Sequence, residues 1–152
     1  MYPIRVAVFG RPKSEPLRGL EGHYRDLLKS CARLELVELP EGRGEPARAL
    51  REEAARLSPL LGAVRCPVLL SPEGALRSSE AFAAWLGERM DRGESLAFAI
   101  GSSHGFDPVL KQSVREKLSL GPMTFPHDLS RVLLLEQLYR AFQILRGGPY
   151  HK

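Results

Sequence analysis

Apolar and polar positions along this chain switch repeatedly between a two-residue and a near-four-residue period, and the switches mark its elements. Ile4-Arg5-Val6-Ala7-Val8-Phe9 is a β-rich run stopped by Gly10, with Pro12 and Pro16 marking a loop. Leu20, Tyr24, Leu27, Leu28 and Cys31 then recur at helical spacing and predict a helix over 17–33. Leu34-Glu35-Leu36-Val37-Glu38-Leu39 alternates apolar and acidic residues, as a strand with one wet face does. A turn-rich linker over 40–46 leads to 47–61, whose arginines, glutamates and alanines fit an exposed helix with a solvated charged face.

Val68-Leu69-Leu70 reads as a short buried strand and 71–77 as a loop containing Pro72 and Gly74. Ser78 or Ser79 caps a helix that carries Phe82, Trp85 and Leu86 on one face, so Trp85 is expected in the core. Leu96-Ala97-Phe98-Ala99-Ile100 is an uninterrupted apolar strand running into Gly101. Asp107-Pro108 starts a helix to about residue 117, and 118–122 return the chain to a short strand, Met123-Thr124-Phe125, stopped by Pro126. Strands alternating with helices, two of them wholly apolar, predict an α/β fold: a single domain over 1–152 with a mainly parallel sheet flanked by helices.

The longest amphipathic run is 128–146. At about 100° per residue, Leu134, Leu135, Leu138, Ala141, Phe142 and Leu145 fill one face, widened by Leu133 and Ile144. Glu136, Tyr139, Arg140, Gln143 and Arg146 gather on the other. Asp128 is placed to cap its start and Gly147 its end. Glu136 and Arg140 stand four apart in the favourable order, which serves equally a helix ion pair and a functional site. After Gly147 and Gly148, Pro149-Tyr150-His151-Lys152 puts a ring, an imidazole and an ammonium on a proline-fixed turn.

Composition narrows the chemistry only slightly. The formal charge of +4 mildly favours polyanionic partners. Cys31 and Cys66 have no pairing pattern and read as free thiols. His23, His104, His127 and His151 lack metal-ligand spacing, so no metal site is expected. No apolar segment reaches the roughly 20 residues that span a bilayer, and Met1-Tyr2-Pro3-Ile4-Arg5 leaves no room for a signal peptide. A cytoplasmic protein without membrane contact is expected.

In parallel α/β sheets, ligands collect beyond the carboxyl ends of the strands. The chain has three such ends rich in glycine or proline: 70–74, 101–105 and 121–126. Gly101-Ser102-Ser103-His104-Gly105 is neither a P-loop nor a dinucleotide fingerprint, and a plain strand-to-helix turn explains it as well as a ligand loop does. No nucleophile elbow surrounds its serines.

Several of these segments together resemble one family. Glu73-Gly74, Ser78-Ser79-Glu80, Ile100-Gly101-Ser102-Ser103-His104-Gly105, Thr124-Phe125-Pro126-His127, Arg131-Val132-Leu133, Glu136-Gln137-Leu138-Tyr139-Arg140-Ala141 and Pro149-Tyr150-His151-Lys152 look like the signature of the large-subunit (23S) ribosomal RNA pseudouridine-N3 methyltransferases. These belong to the SPOUT, or α/β-knot, superfamily. The resemblance implies a C-terminal trefoil knot, which periodicity cannot reveal. It implies S-adenosyl-L-methionine as cofactor, held by Leu70, Gly101, Ser102, Gly105, Gly121, Pro122, Met123, Thr124, Phe125 and Pro126. It implies large-subunit ribosomal RNA, on assembled ribosomes, as the partner, and a homodimer whose sites are completed across the interface. The catalytic candidates it brings together are His151, Arg140, Tyr150 and Glu136. Chemically, His151 suits proton acceptance, Arg140 a phosphate or base oxygen, and Tyr150 stacking on a base.

The chain departs from the family at Ser102, where two successive glycines are common, and at Ser71, where an acid often stands. Ser102 motivates an alternative, a non-catalytic RNA-binding or ribosome-assembly protein of the same fold. A small nucleotide-binding α/β enzyme is a third reading, resting on fold analogy alone.

Overall fold

In the computed structural model, which describes residues 1–152, strands β1 (Tyr2–Phe9), β2 (Ala32–Leu39), β3 (Cys66–Leu76), β4 (Leu96–Ile100) and β5 (Glu116–Ser119) alternate with helices. The helices are α1 (Glu15–Leu28), α2 (Pro46–Gly62), α3 (Ser79–Asp91), α4 (Pro108–Ser113) and α5 (His127–Arg146). The strands form one sheet in the order β2-β1-β4-β3-β5. Every pairing is parallel, so the sheet is wholly rather than mainly parallel.

Both faces are covered, as a parallel sheet requires. Ile4, Val6 and Val8 of β1 and Phe98 of β4 point towards α1, α3 and α5, where they meet Leu28, Phe82, Leu86, Leu134, Leu138 and Phe142. Ala7, Phe9, Ala97 and Ala99 point the other way, onto Leu57 and Leu61 of α2 and Leu110 of α4. Trp85 lies in the first core, as its helical position predicts.

Five segments differ from their sequence reading. Helix α4 stops at Ser113, and the last strand is Glu116–Ser119 instead of Met123-Thr124-Phe125. Residues 123–125 are irregular and join no ladder; β5, which pairs with β3, is already complete at Ser119. The supposed loop 71–77 largely continues β3, with a register break between Leu70 and Ala75. Gly74 lies inside that break, where a Cβ would come within 2.6 Å of the β5 backbone. Helix α2 is not merely an exposed charged helix: Ala49, Glu53, Leu57 and Leu61 form a buried stripe at four-residue spacing. Helix α1 ends at Leu28, because the chain must already be extended at Ala32 to pair with Tyr2.

Helix α5 packs against both α1 and α3. Its apolar face is buried as predicted except at Leu145, which is exposed. Asp128 does not cap it. Pro126 occupies the cap position, and Asp128 Oδ2 accepts the Lys13 N–H at 3.2 Å.

The unexpected residue of α5 is Arg131, only 1% exposed. Its Nη2 donates to Glu21 Oε1 at 2.9 Å and Glu38 Oε2 at 3.1 Å, and its Nη1 to the Gly10 carbonyl at 3.2 Å. One guanidinium thus joins α5 to α1 and to the ends of β1 and β2. Removing one member of a buried charge group strands the others. Arg131→Met should therefore lower unfolding free energy by about 3–5 kcal/mol. Adding Glu21→Gln and Glu38→Gln should restore much of the loss, as read from urea unfolding.

Candidate functional site

The register break in β3, at Leu70, Ser71 and Pro72, and the carboxyl ends of β4 and β5 open onto one cleft of about 640 Å³. That volume is within the roughly 300–1,000 Å³ typical of small-molecule sites. Nine of the ten residues expected at a cofactor line it: Leu70, Gly101, Ser102, Gly105, Gly121, Met123, Thr124, Phe125 and Pro126. Pro122 does not; it is exposed. The sequence reading missed Ile100, Phe106, Leu118 and Leu120, which add apolar wall, and Lys111, which pairs with Glu73 at 3.0 Å. An apolar residue directly after Gly105 was the available signal for Phe106.

The Gly101–Gly105 segment folds into a turn closed by the Gly105 N–H on the Ser102 carbonyl at 2.9 Å. A Cβ on Gly101 would come within 2.6 Å of the Gly105 carbonyl oxygen, so that glycine serves the turn's own closure. Gly105 has φ +81°, which other residues adopt only under strain, and open space lies where its side chain would project. Ser102 lines the cleft, yet its hydroxyl donates to the buried Glu53 carboxylate at 2.7 Å. It therefore does not obstruct the space a ligand needs.

His127 also lines the cleft, with Nε2 3.2 Å from Asp128 Oδ1 and 3.9 Å from Glu41 Oε1. Bare main chain at the turn, an apolar wall and few charges suit a nucleoside-like methyl donor. The residues present fit such a group.

The four residues expected to be catalytic do meet, but elsewhere. Gly147, in the left-handed conformation, ends α5; its N–H bonds Ile144 O at 3.1 Å and the Gly148 N–H bonds Gln143 O at 2.8 Å. The turn folds the tail back along the helix. Glu136 Oε1 accepts Arg140 Nε at 2.9 Å and Nη2 at 2.6 Å, and the Tyr150 hydroxyl at 3.1 Å. The Arg140 guanidinium lies 4.8 Å from the centre of the Tyr150 ring, whose other neighbour is Tyr139, edge-on at 4.8 Å. The ion pair exists, then, as one part of a larger polar cluster.

His151 Nδ1 is 3.1 Å from Arg140 Nη1, and Nε2 is 2.8 Å from Glu80 Oε1 on α3. An arginine only donates, so Nδ1 accepts and Nε2 carries the hydrogen given to Glu80. Glu136 bonding raises the Arg140 pKa. Burial, then hydrogen bonds to Tyr24 and Glu136, push the Tyr150 phenol upward, so it stays neutral at physiological pH.

None of these four lines the cleft. Ser130, the last cleft residue of α5, precedes Arg140 by ten positions, about 15 Å of helix.

A parallel α/β domain with a cleft at the strand ends of its C-terminal half is the arrangement of a protein that binds a small-molecule ligand. The chain matches, over residues 2–151, the family described as "Predicted SPOUT methyltransferase", and belongs to it. The family implies a methyl-donor cofactor and the C-terminal knot. Similar proteins named "Ribosomal RNA large subunit methyltransferase H" occur in Gemmatimonas aurantiaca (38% identical), Rhizobium meliloti (42%) and Anaeromyxobacter dehalogenans (41%). Each comparison covers 98% of this chain and 99% of the relative. No helix is long and apolar enough to cross a membrane, and no group of three or more His, Cys, Asp or Glu is placed to hold a metal ion.

The contact between Glu80 and His151 is expected to respond to pH through the Glu80 carboxyl. The Glu80 carboxyl is held below its ordinary range, first by its own backbone N–H and then by His151. A depressed folded pKa means the Glu80 contact is intact above the ordinary carboxylate range and is lost as pH falls through the lowered value. Acidification should shift the Tyr150 ring resonances in proton NMR towards free-tyrosine positions. Glu80→Ala should produce that shift already at neutral pH.

Proposed function

We propose that the protein transfers a methyl group from S-adenosyl-L-methionine to N3 of a pseudouridine in large-subunit ribosomal RNA, on assembled ribosomes in the cytoplasm. One observation carries the reading: the segment at the register break of β3 and the loops after β4 and β5, which the family resemblance singles out, converge on a single cleft. The names of the relatives support the substrate class. The alternative of a non-catalytic protein rested on Ser102 filling the cofactor space, and its hydroxyl is instead committed to Glu53.

When bound, the cofactor supplies an electrophilic methyl group on a sulfonium. Gly101, Gly105 and Gly121 offer it main chain at close range, and Leu70, Met123 and Phe125 offer apolar contact; Ser102, Thr124 and Pro126 complete the proposed set, and Pro122, which lies off the cleft wall, drops out. Arg140 donates to a base carbonyl oxygen, and Tyr150 presents its ring to the base. As that oxygen takes an Arg140 N–H, His151 Nδ1 is released to accept the N3 proton. The resulting imidazolium keeps its Nε2 bond to Glu80, which balances the charge. Glu136 holds Arg140 and Tyr150 in register.

The separation of cleft and tail along α5 favours a two-fold dimer in which one chain's tail serves its partner's cleft. Light scattering should give a dimer. Gly105→Val should abolish cofactor binding in calorimetric titration, and deleting residues 150–152 should abolish methylation while sparing binding. Mixing those two inactive proteins should then restore about a quarter of parental activity, since half the dimers are mixed and each holds one intact site. No recovery would place both half-sites in one chain.

His151→Ala should slow methyl transfer to undermodified ribosomes by roughly 10²–10⁴-fold. Arg140→Ala should also slow it with cofactor affinity unchanged. Full activity per folded molecule in Arg140→Ala would reduce the residue to a helix ion pair.

A further inference from the structure

We infer that Glu53 of α2 is a positioning residue for the methyl-donor cleft, acting through the Ser102 hydroxyl to hold the Gly101–Gly105 turn in its ligand-ready shape. The inference rests on reading the cleft as the donor site. Glu53 is only 3% exposed, although it lies in a helix rich in solvated charge. A carboxylate so deep is retained only where donors meet it. Two do, one on each oxygen: the Ser102 hydroxyl reaches Oε1 at 2.7 Å and the Gly42 N–H reaches Oε2 at 2.9 Å. No cation pairs with it; its bonding capacity is spent on two loops at the carboxyl edge of the sheet.

Those loops differ in stiffness. The segment after β2 is fastened to α2 a second time, by the Arg43 N–H on Glu52 Oε2 at 3.1 Å, so Glu53 has a firm base. The turn after β4 is held within itself by the short bond from Gly105 to Ser102. Its side-chain tether to the rest of the molecule is the Ser102 hydroxyl, which the His104 N–H also approaches at 3.4 Å. Gly101, Ser102, Ser103 and Gly105 all face the cleft, so the orientation of this tether sets where the turn's main chain meets a ligand. Glu53 is itself absent from the cleft wall and acts only through the serine.

Ser102→Ala, Glu53→Gln and the double variant test the assignment. Without cofactor, hydrogen exchange should quicken at the His104 and Gly105 amides in Ser102→Ala, and additionally at Gly42 in Glu53→Gln. The amides of Leu57 and Leu61 should keep the parental rate. In calorimetric titration with S-adenosylmethionine, each single variant should bind roughly two- to ten-fold more weakly, as expected for one lost hydrogen bond. The double variant should be no weaker than Glu53→Gln alone. Unchanged exchange at the turn, parental affinity in Ser102→Ala, or additive losses in the double variant would overturn the inference. If Glu53→Gln fails to fold, the exchange and affinity of Ser102→Ala decide alone. A parent protein that gives no binding heat fails the cleft reading itself, and the inference with it, whatever the exchange rates are.

Discussion

A guanidinium buried between two carboxylates and a strand-end carbonyl governs where the C-terminal helix begins. Arg131 reaches Glu21, Glu38 and the Gly10 carbonyl at once, and so fixes both the height and the rotation of α5 over the sheet. Buried ion groups add little net stability compared with apolar packing, but they tolerate few alternative geometries. Leucines alone would let α5 slide along the apolar surface of α1 and α3. The fixed start matters because Pro126, His127 and Ser130 form part of the cleft wall, while Glu136 and Arg140 lie one to three turns further along the same rod. One constraint thus sets the wall of the cleft and the platform on which the tail rests.

The sheet divides the remaining work between its faces. On one side α2 brings Glu53 up beneath the turn after β4. On the other, α3 supplies Glu80 to His151, and Ser79 donates to Gln137, so the tail cluster is braced from a second helix. The strands are rigid and fully buried at β4, whereas the groups facing the cleft come from turns at their ends. Function is carried by loops because their main chain is free to meet a ligand, and by this sheet because its strand ends are held still.

How far all this could be read from sequence depended on the distance over which each cause acts. Periodicity found β1, β2, β4, α3 and α5, because their apolar patterns are local and strong. It misread 47–61, where four buried positions stand among five charges, one of them the buried Glu53 itself, and it placed the last strand at 123–125, where the chain is irregular. Arg131 was invisible for another reason: its partners lie 93 to 121 positions away, and a lone charge in an amphipathic helix reads as part of the wet face. The Ser102–Glu53 bond, spanning 49 positions, was equally out of reach, so the serine looked like an obstruction. The cleft fared better, since glycines and prolines beyond strand ends are a local mark that picked out 70–74, 101–105 and 121–126, and the family resemblance assigned these same three segments to one cofactor. The same resemblance named the tail residues together, but nothing in their spacing tells that the cluster stands apart from the cleft.

In the mechanism proposed above, the bonds of the tail cover the proposed base, His151, until a substrate competes for its partner. Both ring nitrogens of His151 are engaged, one by a donor that blocks its lone pair and one by a carboxylate that takes its hydrogen. A base so occupied is inert until something competes for Arg140. A pyrimidine carbonyl oxygen competes on equal terms, since it too accepts from a planar guanidinium, and a phosphate competes on better ones. Arg140 is well suited to the exchange, because Glu136 already holds its Nε and Nη2 and leaves Nη1 as the hand that changes partner. Removing that hand from His151 uncovers the lone pair in the presence of the substrate atom that displaced it. In that proposed mechanism, proton acceptance by His151 is coupled to the arrival of the acceptor that displaces Arg140 Nη1.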